Sequence, residues 1–410
     1  MPMRSMRSPE RHGPLAGVRV VAIERMLAAP LATQILADLG ADVIKVEQPG
    51  HGDETRAVGP FIDGVSHYFA SVNRGKRSIV LDLKHPEVGE VLGRLVETAD
   101  VVVENLRPGR LDTLGLGFEW MSALAPRLIL CSISGFGSTG SWSQRPAFDL
   151  IVQALTGLMS VTGEPESGPT KIGLPISDLA AGLWAVIGIN AHLAGPRSEP
   201  VHLDLSMFDA TLSLETYLTQ LVLSTDQVPG QVGSHHHSVT PYGRYRASDG
   251  WIVIALQTGV FWRRFCVAIG RESLIYDERF RTTRDRVRNR GDLERLVAEV
   301  IAGRTVAEWE RFFLDEDIPG ARVSSIAEAL QSAPVMERGL LESAIVGNST
   351  WDVVGSPIRT RSSSDPPERV PGLGAETYDI LAEIGLDPEQ ISRLGAGGLF
   401  AETRNEEQQR

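Results

Sequence analysis

Two cysteines in 410 residues, Cys131 and Cys266, are too few for a disulfide framework. Both sit in apolar stretches and read as buried thiols in a reducing compartment. Cations are short as well: 40 Lys and Arg against 52 Asp and Glu leave a formal charge of −12. That balance argues against nucleic acid or an anionic membrane surface as a general partner. Long apolar runs are lacking, since the longest, at 179–189, falls well below the roughly 20 residues that span a bilayer. The basic start, 1–13, has no apolar core and reads as a disordered leader, not a secretory signal. A soluble cytoplasmic protein is expected. Glycine is missing where a dinucleotide fold needs it. The turn after the first strand-like run is Glu24-Arg25-Met26-Leu27-Ala28-Ala29-Pro30, which excludes NAD or FAD binding of the usual kind.

What is present suits a soluble enzyme, with 42% hydrophobic and 22% charged residues and enough length for one large and one small domain. Strand-like runs at 17–23, 41–47, 78–83, 101–104 and 128–134 alternate with helical periodicity at 30–39, 86–98 and 118–125. Such alternation predicts an α/β fold with a mainly parallel, Rossmann-like sheet. A helix from Asp178 to about residue 193, a buried strand at 201–206 and one long helix at 207–223 follow. The polar stretch 224–237 reads as a linker. A hairpin at 243–247 and 251–256, with helices at 260–268, 292–302 and 306–315, predicts a smaller α+β domain at 238–325. On this reading the large domain covers 14–223, a return segment at 326–400 completes it, and 401–410 is a polar tail.

Asp178 is the most informative residue. Pro175 and Ser177 lead into it, and an apolar helical run begins at once. A carboxylate there is favoured in its ionised form by free N–H groups and the helix dipole, either as an N-cap or as a nucleophile. Gly182 and Gly188 weaken that helix by roughly 1 kcal/mol each relative to Ala, which predicts a close approach beside it. Arg74, Lys76, Arg77 and Lys84, with Arg107 and Arg110, form a local basic cluster that reads as an anion site or as a solvated rim. Arg145 reads as a grip for a carboxylate or as a surface partner of Asp149. His235, His236 and His237 invite a metal, but adjacent side chains in a loop do not converge on one ion, so no metal is expected.

Several motifs occur in order: LAAPLATQILADLGADVIKVE at 27–47, GDETR at 52–56, NRGKRSIVLDLK at 73–84, VENLRPG at 103–109, CSISGFG at 131–137 and SDLAAGL at 177–183. Pro241-Tyr242-Gly243 and Asp249-Gly250 follow. Together they resemble the class III CoA-transferases over about residues 14–400. The resemblance implies that Asp178 attacks an acyl-CoA thioester, passing through a mixed anhydride and an aspartyl-CoA thioester. It implies that coenzyme A, a substrate and not a bound cofactor, is lined by Leu27, Ala28, Gln48, Leu81, Asp82, Leu83, Lys84, Asn105, Leu106, Arg107, Ser134, Gly135, Phe136 and Gly137. Three positions depart from the family pattern. Gln48 stands where some members have Arg, Ser134 where some have Lys, and Ala29 where Gly is common. Arg107 or Arg110 is expected to compensate, and Arg145, His236 and His237 are candidates to meet the acid. The implied reaction moves CoA from a donor such as succinyl-CoA to a small acid, with a lean to dicarboxylates such as itaconate, mesaconate, malate or glutarate. The alternatives are an α-methylacyl-CoA racemase of the same superfamily or a non-catalytic CoA-binding protein. An interlocked homodimer is implied by resemblance alone.

Overall fold

In the computed structural model, residues 12–358 and 368–400 are described. The leader, apart from His12 and Gly13, and the tail at 401–410 lie outside them. The chain divides into two compact units. The first comprises residues up to Thr156, Gly173–Thr216 and Glu337 onward; the second comprises Gly157–Ile172 and Tyr217–Met336. The second unit thus begins before the linker read at 224–237, extends past 325, and takes in 157–172.

The first unit is built on six parallel strands: β1 (Arg19–Ile23), β2 (Asp42–Glu47), β3 (Arg77–Val80), β4 (Val101–Glu104), β5 (Ile129–Ser134) and β6 (Val201–Ser206). Their order across the sheet is β3-β2-β1-β4-β5-β6, with every neighbouring pair parallel. That is a Rossmann-type order, whose switch point lies between β1 and β4. The strands read as near-continuous apolar runs because both faces of the sheet are covered. Val21, Ile44, Ile79, Val102 and Leu130 pack on one side with α2 (Val88–Thr98) and residues such as Ile380, Leu381 and Leu394. Val20, Ala22, Val43, Val103 and Cys131 pack on the other with α1 (Ala28–Asp38) and α5 (Ile176–Ala194).

The remaining helices of this unit include α3 (Phe118–Leu124), α4 (Asp149–Thr156) and α6 (Met207–Leu214). Two expectations are corrected. β6 is an edge strand with only Ser206 buried, and His202 and Asp204 are exposed: they alternate with Val201, Leu203 and Leu205, the period-two pattern of a half-covered strand and not of the buried one expected. The long helix read at 207–223 is two helices, because Thr216 takes a left-handed backbone (φ 33°) between Leu214 and a second helix, Thr216–Thr225.

Helix α5 is 19 residues long and, by length and composition alone, apolar enough to cross a membrane. The apolar run at 179–189 missed this, because Asp178 and Asn190 bound the run while the helix continues through both, from Ile176 to Ala194. In the fold it is a core helix, burying Ala180, Ala181, Gly182, Ala185, Val186 and Ile189. The predicted close approach is real at Gly182: a Cβ there would lie 2.8 Å from the carbonyl oxygen of Ala28. Any larger residue would push α1 away.

In the second unit β7 (Tyr242–Arg246) and β8 (Trp251–Ala255) form an antiparallel pair, with β9 (Gly320–Arg322) on the far side of β8. Ile252, Ile254, Trp262, Phe265, Trp309 and Phe313 fill its core.

Candidate active site

The C-terminal ends of β1, β4 and β5 open into a cavity of about 320 Å³ lined by Arg25, Met26, Ala28, Asn105, Arg107, Ser134, Gly135, Arg145, Phe148 and Asp178, among others. Crevices outside the carboxyl ends at the switch point are where open α/β sheets bind ligands. Arg25 leaves β1, Asn105 leaves β4, and Asp178 enters from the first turn of α5.

Asp178 is not the N-cap. The helix starts at Ile176, its N-cap is Pro175, and no side chain of the helix itself caps it. The cap comes from α4, where Asp149 Oδ1 accepts the Ser177 amide at 2.8 Å and Oδ2 accepts from Gln153 Nε2 at 2.7 Å. Asp178 therefore keeps its carboxylate free for the cavity. Burial pushes its pKa up to about 7, and the Asp149 charge adds to the rise. Sequence reading missed Asp149 in this role, since a cap supplied from 28 residues away leaves no local pattern. It also missed Tyr68, whose pKa is raised first by burial and then by Asp178, Asp53 and Asp149.

The basic stretch is corrected. Lys76 is buried against Glu24 (2.7 Å), the Pro30 carbonyl and Asn73, and Arg74 pairs with Asp38 at 2.6 Å. Arg77 pairs with Asp42 and Glu383, both at 2.7 Å. These cations are neither an anion site nor a solvated rim. They are internal ion pairs: Arg74 and Lys76 are buried in the turn before β3, and Arg77, at the head of that edge strand, is closed in by Asp42 and Glu383. Lys84, Arg107, Arg110 and Arg145 pair with no carboxylate among the described residues. Arg145 does not meet Asp149. Its guanidinium lies over Trp142, 5.0 Å from the ring centre, and 5.7 Å from that of Phe136.

Of the residues expected to line CoA, the cavity brings together Ala28, Asn105, Leu106, Arg107, Ser134 and Gly135. Leu106, Arg107 and Ser134 also border a second cavity of about 690 Å³ with Glu104, Ser132 and His202. The others stand outside the Asp178 cavity. Leu27 and Leu81 are buried in the core, and the Asp82 amide donates to the Leu399 carbonyl. Leu83 packs against the core, and the Lys84 amide donates to Asp82. Gln48 donates to the Gly52 carbonyl and meets His51. Phe136 packs edge-on against Trp142, and the Gly137 amide donates to Ser134 Oγ.

His236 and His237 belong to the second unit. There His236 stacks on Tyr217, and His237 Nε2 meets the Gly230 carbonyl at 2.9 Å. Among the described residues no group of three or more His, Cys, Asp or Glu side chains is arranged to hold a metal ion.

A half-buried carboxylate that shares a cavity with guanidiniums unpaired among the described residues, at a switch point without the dinucleotide fingerprint, suits attack on an acyl group carried by an anionic handle. The model of CoA-transferase family III matches residues 15–377. This chain belongs to that family. It is a family III CoA-transferase, so its substrates are CoA thioesters. The chain is 36% identical to a succinate–glutarate CoA-transferase of Agrobacterium fabrum, over 92% of this chain and 97% of that one. It is 34% identical to a succinyl-CoA:mesaconate CoA-transferase of Haloarcula hispanica, over 91% and 97%. A crystal structure of a CaiB/BaiF family protein from Brucella suis superposes with a TM-score of 0.78 at 34% identity, covering 91% of this chain and 99% of that one.

Proposed function

We propose that this transferase moves CoA from succinyl-CoA, or a donor like it, to a small dicarboxylic acid, with Asp178 as the nucleophile. The observation that carries the reading is the Asp178 carboxylate, relieved of capping by Asp149 and set in a cavity with Arg107 and Arg145, which pair with no carboxylate among the described residues. An Asp178 oxygen adds to the thioester carbonyl, the C–S bond breaks, and CoA leaves as the thiolate, giving a mixed anhydride. The thiolate then attacks the aspartyl carbonyl and releases the donor acid, leaving an aspartyl-CoA thioester. The acceptor carboxylate attacks that thioester, the thiolate leaves again and attacks the new acyl carbonyl, and Asp178 is regenerated. The first helical turn of α5 favours the negative charge that returns to Asp178. The CoA chain is proposed to run past Ala28, Asn105–Arg107 and Ser134–Gly135, with Arg107 or Arg110 meeting phosphate.

The acid class rests on the names of the relatives, two of which act on glutarate and mesaconate. The cavity lining includes no histidine for the proton exchange a racemase needs. We further propose a cytoplasmic homodimer. The outer face of α5 exposes Leu183, Trp184 and Ile187 at 52%, 42% and 56%, an apolar stripe suited to cover by a second copy. Light scattering tests that part.

The test of function is mass spectrometry of new CoA thioesters formed from succinyl-CoA and a panel of mono- and dicarboxylic acids, beside Asp178→Asn. A new dicarboxyl-CoA from the wild type alone is the expected result. Equal turnover by Asp178→Asn overturns the mechanism, and α-proton exchange without transfer overturns the reaction.

A further inference from the structure

Asn105 is expected by resemblance to touch CoA, yet its carboxamide already holds the backbone of another segment. Its Oδ1 accepts the Arg25 amide at 2.9 Å and its Nδ2 donates to the Arg25 carbonyl at 2.7 Å. One side chain thus pairs with both backbone groups of one residue, as a neighbouring strand would. This bridge joins the ends of β1 and β4 at the switch point.

The next residue shows why a clamp is needed there. Met26 has φ 66°, in the left-handed region. For a residue with a Cβ this conformation costs about 1–2 kcal/mol, so it persists only where the surroundings hold it. Met26 has a second hold: its amide donates to Asp53 Oδ1 at 3.2 Å. Asp53 is itself locked by Lys45 at 2.8 Å, and Lys45 Nζ donates to the Glu24 carbonyl. Beyond Met26 the chain enters α1, and the Ala28 carbonyl packs over Gly182, one turn past Asp178. Arg25, Met26, Ala28 and Asn105 line the same cavity as Asp178.

We propose that Asn105 is a positioning residue: it holds Met26 left-handed, and so fixes the wall of the Asp178 cavity against which the acyl thioester is aligned. The proposal rests on the reading of Asp178 as nucleophile. Its geometry concerns the turn alone. Without the carboxamide, Met26 relaxes toward negative φ, the turn from Arg25 to Ala28 shifts, and the thioester loses its alignment. A displacement near 1 Å costs on the order of 100-fold in rate.

The conformational demand gives a test that a direct CoA contact does not satisfy. Glycine adopts φ near +66° without the Cβ penalty, so Met26→Gly should restore what loss of Asn105 removes. Wild type, Asn105→Ala, Asn105→Asp, Met26→Gly and the double variant Met26→Gly/Asn105→Ala are assayed, with kcat and KM for the acyl-CoA measured separately. Asn105→Asp keeps an acceptor for the Arg25 amide but loses the donor, and provides a milder variant should the alanine fail to fold.

The expected result is a fall in kcat of roughly 10- to 100-fold for Asn105→Ala, with KM for acyl-CoA nearly unchanged and a smaller fall for Asn105→Asp. The double variant should turn over several times faster than Asn105→Ala alone. A rise in KM at unchanged kcat, or no recovery in the double variant, overturns the proposal and returns Asn105 to a ligand contact or a plain structural role. A crystal structure of Asn105→Ala gives a reading independent of turnover: Met26 still near φ 66° overturns the clamp. Equal turnover by Asp178→Asn would sink the nucleophile reading, whereas the φ of Met26 in the Asn105→Ala crystal structure tests the clamp whichever residue is the nucleophile.

Discussion

The large unit carries two basic regions that look alike as strings of residues and differ in the fold. Arg74, Lys76 and Arg77 lead into the edge strand β3, and each meets a carboxylate from another part of the unit: Asp38, Glu24, Asp42 or Glu383. Arg107 and Arg145, in loops past the strand ends, and Arg110, at the start of the helical turn after β4, meet none among the described residues. The first group answers a structural need, because a cation shielded from water must be neutralised where it sits. The second keeps its charge for something that arrives. Burial and partners, not residue type, separate scaffold from site.

The sharpest break of that contrast is at the site itself. Asp178→Asn should lower turnover by on the order of 10³-fold or more, since the amide cannot form the anhydride, and a steady-state thioester assay reads it. Next in size is the buried side. Lys76→Met leaves Glu24 facing Lys45 alone and should cost about 3 kcal/mol or more, seen as a lower urea midpoint. Arg107→Gln should do the opposite: KM for acyl-CoA rises roughly 10-fold and loses part of its salt dependence, while the urea midpoint holds.

A finer test uses pH. The Asp178 carboxyl titrates near 7 in the fold, above its ordinary 3.8, because burial and then Asp149 disfavour the charge. The folded state therefore holds a proton that the unfolded chain has released between those values. The stability this contributes is full below about 4 and is lost as pH rises through about 7. Asp178→Asn should gain stability over the wild type as pH climbs from 5 to 8, with little difference near 4. The wild-type rate should rise with pH through about 7, and Asp149→Asn should move that limb to lower pH. A rate limb that stays in place in Asp149→Asn would show that burial alone sets it.

Much of the scaffold was legible because it repeats a local rule. Apolar β-branched runs alternating with amphipathic stretches mark β1 to β5, and β4 falls on the predicted residues. Asp178 stood out because Pro175, Ser177 and an apolar helix bracket it. Gly182 announced a contact without naming the Ala28 carbonyl. Less legible were features made by residues far apart. The pairing of Arg77 with Glu383 joins parts of the chain 306 residues apart. Asp149 as a cap for α5, and Asn105 as a clamp on Arg25, reverse the roles suggested by neighbours in sequence.

By itself, then, the sequence determined most of the segments that become strands and helices, that no dinucleotide turn follows the first strand, and which aspartate lies in the first turn of the apolar helix. Those are properties of windows of a few residues, governed by periodicity and local backbone preference. Only the tertiary structure decided which cations are neutralised and which remain free. It also decided that Asp149 caps the helix so that Asp178 need not, and that Met26 is held left-handed beside it. Charge burial, capping across helices and backbone strain depend on partners brought close in space, and a linear pattern carries no distance.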